Sequence, residues 1–464
     1  MLSTMLLSRF LSLKEYGDYS QLILVSSMAT ILFMMGLPSS INYFVARADD
    51  EAEKQRFLSM YHILTTGLSI IVGILLVLAA PLFVSYFNNP QLYRYLFFFA
   101  LYPWHKIVMS SVENMLVVYN KTNYSIAFKL TNGLFLLGLI VSSQILNINF
   151  ETYLLIYIIV ESIFTAYVYI LTRQIAGKLY FVWDPVLLKK ILAYSVPIGL
   201  ATVLSYFNIQ LDTLIIGKFY SAEQLAIYAN AARELPLTII PSAVTVVLMP
   251  QLVRLFKKGR DKDAMKLWGE SIYISYALMC FFAVALIMYA PSVISLLYSE
   301  KYLPGVNVFR VYSALLLIRF TYFGIILNSI GKTKFVFYSS LFSFLLNLVL
   351  NYLFYLQFGY IGPSIATFIA LLVIQVAQLI LTARTTQTKF KDLMPWNTLL
   401  KITVLNFTIG IVFFYLKQVI PLESYVGDIS ESLLLGVVWT MVYGAIMFKR
   451  VRRKWHALNS EEYV

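Results

Sequence analysis

The sequence predicts an all-α polytopic membrane protein: two six-helix lobes related by a pseudo-two-fold axis along the membrane normal, plus two C-terminal helices, with the first helix largely missing. Three observations carry this expectation. Hydrophobic residues make up 60% of the 464 positions, charged residues 13%, and the mean hydropathy is +0.76, far from the values of a soluble domain of this length. Apolar runs of about 20 residues, the length needed to cross roughly 30 Å of hydrocarbon with every backbone polar group satisfied, recur along the whole chain. The third observation is an internal repeat.

The repeat is legible at residues 205–241, SYFNIQLDTLIIGKFYSAEQLAIYANAARELPLTIIP. Within it, Lys218 to Tyr228 aligns with Arg9 to Tyr19, an offset of 209, with Phe, Ser and Tyr in register behind a leading cation. Ala80-Pro81 matches Ala290-Pro291 at an offset of 210, and Lys121-Thr122 matches Lys332-Thr333 at 211. An offset that drifts so little marks two copies of one unit.

The elements follow in order. MLSTMLLSRFL is apolar but too short to span, and no charged n-region precedes it as a secretory signal would require. Its counterpart ahead of Lys218 is a full span, so this stretch reads as the end of a first helix that the sequence carries only in part. Thirteen complete spans are expected after it: 20–46, 58–85, 92–117, 124–146, 151–173, 190–217, 225–252, 268–298, 306–330, 335–357, 360–384, 398–420 and 429–448. Counting the partial helix, each repeat holds six, an even number, so the copies share one orientation. The expected divisions are an N-terminal lobe at 1–180, a C-terminal lobe at 181–392, and two further helices with a basic tail at 393–464.

Twenty-five of the 36 Lys and Arg residues fall in connections on one side and only six on the other, which assigns the first side, and both termini if the first helix is complete, to the cytoplasm. The net charge of +13 is therefore an orientation signal rather than a nucleic-acid footprint. The single cysteine, Cys280, lies in an apolar run and excludes a disulfide framework.

Five basic residues remain inside spans: Lys106, Lys129, Arg233, Arg310 and Arg319. A charge at membrane depth costs at least about 2.5–3.5 kcal/mol on insertion scales, so it faces a protein interior or an aqueous cavity and takes a partner. Asp212, Glu113, Glu161 and Glu234 are the acidic candidates. Asp212, Arg233 and Arg310 fall at similar depths in the outer half of the C-terminal lobe, where a structural ion pair and a cavity lining both fit. Lys106 and Arg319 stand near mid-membrane at equivalent repeat positions, which favours a central cleft, whereas Lys129 is close enough to the cytoplasmic end to snorkel. Pro236, Pro241 and Pro250 are expected to interrupt the helix that carries Arg233, and Pro38, Pro103 and Pro197 others. A slightly cationic interior suits an anionic ligand.

Other signals fail. Gly331-Lys332-Thr333 ends like a nucleotide-binding P-loop, but Ile326 stands where the first glycine is required and no strand precedes it. Asn120-Lys121-Thr122 and Asn123-Tyr124-Ser125 match the glycosylation pattern in a connection assigned to the cytoplasm. His62, His105 and His456 lack metal-ligand spacing; His105 beside Lys106 reads as a hydrogen-bonded packing histidine, with a titrating role as the sharper alternative. No metal, cofactor or nucleic acid is expected.

The stretches LLSRFLSLKEYGDYSQ, GLPSSINYFVAR, LDTLIIGKFYSAEQLAIYANA and NLVLNYLFYLQFGYIGPSIATFIA resemble the polysaccharide repeat-unit flippases of the multidrug/oligosaccharidyl-lipid/polysaccharide exporter superfamily, over nearly the whole chain. The resemblance implies fourteen helices and a cationic central cavity open alternately to each side. It implies an undecaprenyl-diphosphate-linked oligosaccharide as substrate, met by Arg9, Lys106, Arg233 and Arg319. It also places the protein among membrane lipids in the bacterial inner membrane, with the polysaccharide polymerase and chain-length machinery as candidate partners. The expected function is thus non-enzymatic, flipping a lipid-linked glycan by alternating access without ATP hydrolysis. A small cationic-drug exporter would require an acidic cavity, and a glycan polymerase or ligase a long outer loop with catalytic residues; the interior charge and the short connections oppose both.

Overall fold

The computed structural model describes residues 2–419 and 427–458; the connection at 420–426, the last six residues and the His456 side chain lie outside that description. The described residues form helices and turns without a β-strand, and they divide into two compact units, Met1–Ala226 and Ile227–Val464.

The first unit holds α1 (Leu2–Phe10), α2 (Leu13–Met34), α3 (Leu37–Arg47), α4 (Glu51–Leu78), α5 (Ala80–Phe87), α6 (Gln91–Phe98), α7 (Tyr102–Met109), α8 (Ser111–Val118), α9 (Thr122–Ile145), α10 (Phe150–Ala176) and α11 (Pro185–Phe219). Helix α12 (Ala222–Ala231) leads into the second, which holds α13 (Ile239–Lys257), α14 (Asp261–Met288), α15 (Ala290–Leu297), α16 (Val306–Ala314), α17 (Ile325–Ser329), α18 (Thr333–Phe358), α19 (Gly362–Thr386), α20 (Trp396–Val419) and α21 (Asp428–Leu458).

Local chemistry repeats at the sequence offset. Ser12 and Glu15 form a reciprocal capping box at the start of α2, and Ser221 and Gln224 form its counterpart at α12. The pair α14 and α15 reproduces α4 and α5 with all four boundaries displaced by 210 residues, each second helix opening on an Ala-Pro step. Proline is favoured there because the first-turn amide has no intrahelical acceptor to lose. Ahead of α9 and α18, Asn120 and Gly331 both take the left-handed backbone, at φ 56° and 75°.

Among the described residues, ten helical segments are long and apolar enough to cross a membrane, and one of them, Thr333–Thr386, contains both α18 and α19. Eleven of the thirteen expected spans are thereby present, and the chain is a multi-pass membrane protein. The other two, 92–117 and 306–330, are corrected: neither is a continuous helix. In the first, a 3₁₀ turn at Phe99–Leu101 separates α6 from α7, and Pro103 at the start of α7 supplies no amide to the preceding turn. In the second, α16 passes through a 3₁₀ turn at Leu315–Leu317 into residues 318–324, which are not helical, before α17 begins. No proline marks this break. Side-chain contacts with α14 brace it: Trp268 Nε1 donates to Thr321 Oγ1 at 3.4 Å, and Tyr276 packs edge-on against Phe320.

Helix α14 is the hub of the second unit. Its apolar run packs on α13, α16, α20 and α21, with Cys280 buried among them and Trp439 stacked on Phe413 and set edge-on to Phe281. In the first unit, Leu37, Ile41, Phe57, Leu58, Tyr61 and Val108 join α3, α4 and α7 in one core.

Helix α11 opens at Asp184, whose carboxylate accepts from the Val186 and Leu187 amides at 2.9 and 3.0 Å and from Arg56 Nη2 at 2.7 Å. The backbone amides first, then the arginine, hold its pKa below the usual carboxylate value. Because the folded pKa lies below the unfolded one, this stabilisation is present above the ordinary carboxylate range and is lost as pH falls through it. Asp184→Ala is expected to lower the thermal midpoint of the solubilised protein by a few degrees at neutral pH, and the difference should narrow towards about pH 3 to what the uncharged cap alone supplies. Asp184→Asn, which keeps the cap and loses the charge, should fall between; melts at the two pH values check both.

Candidate functional site

The second unit brings two helix interruptions together. Between α12 and α13, residues 233–235 are not helical. Pro236 is the cause: it forces Leu235 into an extended conformation at φ −69°, ψ 150°, and offers no amide of its own. Arg233 and Glu234 lie in this break. Pro241 and Pro250, expected to interrupt the same helix, instead sit within α13, and Pro197 sits inside the continuous α11. Arg319 lies in the other interruption, after α16. Its Nη1 makes a salt bridge to Glu234 Oε1, so the two breaks are joined by an ion pair whose members are half-buried.

The recess between them is narrow, about 20 Å³, and is lined by Arg233, Glu234, Thr238, Tyr312, Ser313 and Arg319, with Leu235, Leu286 and Phe309 among its apolar walls. Two guanidinium groups against one carboxylate leave it cationic. Unwound backbone at membrane depth is tolerated only where protein or a water-filled cavity satisfies it, and such breaks are where transporters build ligand sites.

The remaining expected residues take other places. Arg310, on α16, directs Nε to the Ile287 carbonyl and Nη1 to Asn307 Oδ1, both at 3.3 Å. Asp212 is buried on α11 in the first unit, and Arg9 is exposed in the last turn of α1. Lys106, on α7, lies 5.3 Å from the centroid of the Tyr102 ring. Facing it on α10 is Glu161, buried and within Coulombic reach of the Lys106 ammonium. Beside them Tyr102 and Ser27 exchange a 2.9 Å hydrogen bond, and His105 Nε2 meets Ser162 Oγ at 2.9 Å, a packing contact.

Lys129 pairs with Glu113, and both side chains are more than half exposed, at 57% and 60%. Exposed pairs contribute at most about 1 kcal/mol. Lys129→Ala is therefore expected to leave transport and thermal stability within about twofold and 1 kcal/mol of the parent, measured side by side.

Sequence reasoning missed two buried polar groups. Asp18 and Gln21 both accept from Asn89 Nδ2, at 2.6 and 2.8 Å, and all three are at least nine-tenths buried. The expected span began at residue 20, which left Asp18 in a connection, whereas α2 begins at Leu13 under its capping box. Asn347 and Asn351, one turn apart on α18, are joined at 3.0 Å, and Thr367 of α19 donates to Asn347 Oδ1. Two asparagines at i and i+4 in an apolar helix were the available signal.

The fold is similar to a solved lipid II flippase MurJ in an inward closed conformation, with a TM-score of 0.77, 18% identity and coverage of 97% of this chain and 96% of that one. It is also similar to an inward-facing multidrug resistance MATE family transporter of the MOP superfamily, with a TM-score of 0.65, 16% identity, and 84% and 95% coverage. An uncharacterized membrane protein of Methanocaldococcus jannaschii is 24% identical over 412 residues, 82% of this chain and 77% of that protein. A probable lipid II flippase MurJ of Rhizobium meliloti is 26% identical over 112 residues, a match that spans 24% of this chain and 21% of that protein. The expected all-α polytopic fold is borne out, and the polysaccharide family read from the motifs agrees with the family match. A family model described as a polysaccharide biosynthesis protein matches residues 6–307, well over half of the sequence, and the chain belongs to that family.

Proposed function

We propose that the protein is a flippase that moves undecaprenyl-diphosphate-linked oligosaccharide repeat units from the cytoplasmic to the outer leaflet of the bacterial inner membrane, by alternating access, for surface polysaccharide assembly. One observation carries the reading: in a chain of the polysaccharide biosynthesis family, two interrupted helices meet at their breaks and set Arg233 and Arg319 around one recess. Guanidinium groups offer paired donors that match phosphate oxygens, and the diphosphate is the charged feature shared by the lipid-linked repeat units of this class. In this conformation the recess, about 20 Å³, has room for about one water, so a headgroup enters it only when the two breaks part during the cycle. Lys106, Arg9, Asp212 and Arg310 are the further candidates to meet phosphate or acidic sugars during the cycle. The relatives named as lipid II flippases, which handle another lipid-linked glycan, support the substrate class. A ligand drives a conformational cycle only through different affinity for its states, so these charges should affect both binding and turnover.

The test is complementation of a bacterial strain that lacks its own repeat-unit flippase, scored by surface glycan. Restored glycan is the expected result. No glycan, with the protein present in the membrane at normal level and across strains with differing repeat units, would overturn the reading.

A further inference from the structure

A second cationic site lies in the second unit, away from the recess at Arg233 and Arg319. The first turns of α14 and α20 and the last turns of α21 converge on a groove of about 580 Å³. Lys266, Lys401, Arg450, Arg453 and Lys454 line it, with Glu270 as the one carboxylate among the described residues. All five cations belong to the side that the charge bias assigns to the cytoplasm.

The groove is built rather than incidental. Lys454 Nζ holds Glu270 Oε1 at 2.6 Å, which ties α14 to α21 across it, and the Arg450 guanidinium lies within Coulombic reach of the Tyr273 hydroxyl. Its floor is packed: Tyr276 meets Thr403 at 2.5 Å, and the Tyr443 hydroxyl donates to the Ala277 carbonyl at 2.8 Å. Glu270 Oε2 is buried without a hydrogen-bond partner, an acceptor that awaits a donor. On the flanks, Leu400 and Val404 of α20 and Met441 and Phe448 of α21 are exposed, which in a multi-pass protein means facing acyl chains. Trp396 and Trp455, exposed at the same end, mark the depth of the headgroup layer.

We propose that this groove binds an anionic phospholipid, with its phosphate among Lys401, Arg450 and Arg453, a headgroup hydroxyl donating to Glu270, and its chains along α20 and α21. Basic pockets between membrane helices on the cytoplasmic side hold phosphate headgroups by charge and by donor geometry. Phosphatidylglycerol supplies both the negative phosphodiester and the hydroxyl donors; phosphatidylethanolamine is zwitterionic and gains little from the excess of cations.

The experiment is native mass spectrometry of the full chain in detergent, titrated with phosphatidylglycerol, phosphatidic acid, phosphatidylethanolamine or sodium pyrophosphate. Phosphatidylglycerol should bind roughly tenfold more tightly than phosphatidylethanolamine, and the triple variant K401Q/R450Q/R453Q should weaken it roughly 10- to 100-fold. R450K/R453K, which keeps the charge, should stay within a few-fold and shows that the fold tolerates change there. Glu270→Leu should weaken phosphatidylglycerol more than phosphatidic acid, which has no headgroup hydroxyl; equal weakening overturns the hydroxyl contact. K257Q/K258Q/R260Q, on the same side but outside the groove, should bind as the parent does. Equal losses in that control, no loss in the first triple variant, or displacement of the lipid by pyrophosphate would overturn the proposal, the last in favour of a soluble phosphate.

Discussion

Replacing Arg319 with Gln is expected to cut transport about 10- to 100-fold in the complementation assay, the worth of one charge-assisted hydrogen bond to a bound phosphate, about 1.5–3 kcal/mol. The same change should barely alter stability. Breaking a fully buried ion pair costs several kcal/mol, but the Arg319 and Glu234 side chains are 32% and 41% exposed, which brings the pair closer to the surface case of at most about 1 kcal/mol. A melt and a transport measurement on one preparation therefore separate folding from function. The double variant E234Q/R319Q separates two roles. If the guanidinium serves only to neutralise Glu234, removing both charges restores transport; if it meets the substrate, the double variant stays as inactive as the single one, and that is the expected outcome. Arg319→Lys should recover part of the activity, since an ammonium keeps the charge and loses the planar pair of donors. Full transport by Arg319→Gln would remove the recess from the mechanism.

This prediction depends on a feature that the sequence showed only in part. The interior charges were legible, because a cation in an apolar run is costly wherever the helix ends fall. Pro236 announced the break beside Arg233, since proline restricts its predecessor and lacks an amide whatever surrounds it. The break at Arg319 carries no such mark. Residues 315–330, LLLIRFTYFGIILNSI, satisfy every helix criterion of length and hydropathy. Only packing decides against a helix, through Trp268 on Thr321 and Tyr276 on Phe320 across more than forty residues of chain. Periodicity is blind to partners that distant.

Pairing was likewise beyond the sequence. Depth along a helix follows from counting residues, but azimuth depends on how each helix turns towards its neighbours. Arg310 was grouped with Arg233 by depth, yet its guanidinium serves the Ile287 carbonyl and Asn307, while Glu234 went to Arg319. The repeat fared better because its devices are local. A Ser-x-x-Glu or Ser-x-x-Gln capping box and an Ala-Pro helix start are written within four residues, and both recur at the offset read from the alignment.

A large loss of stability is expected in the first unit, where Gly199 of α11 meets the hinge between α2 and α3. That hinge is made by Met35 and Gly36, both left-handed, at φ 46° and 68°. A Cβ added at Gly199 would stand 2.3 Å from the Met35 carbonyl carbon and 2.4 Å from its Cα; one added at Gly36 would stand 2.8 Å from both the Ser195 carbonyl oxygen and the Gly199 nitrogen. The obstructing atoms are backbone, so no rotamer change makes room, and the helices must separate. Small residues allow this kind of close approach between membrane helices, where dispersion contacts replace the hydrophobic effect as the adhesive. Gly199→Ala should cost about 1–3 kcal/mol as an overpacked contact, and Gly199→Leu more, enough to remove most monodisperse protein from a size-exclusion trace after mild heating. Gly138, inside α9 with nothing within 4 Å of its added Cβ, is the internal control. Gly138→Ala gains helix propensity, worth about 0.5–1 kcal/mol, and should melt at or above the parent temperature. Equal stability of Gly199→Leu and the parent would mean that α11 does not rest on the hinge; loss at Gly199 with none at Gly138 locates the dependence in the backbone contact rather than in glycine itself.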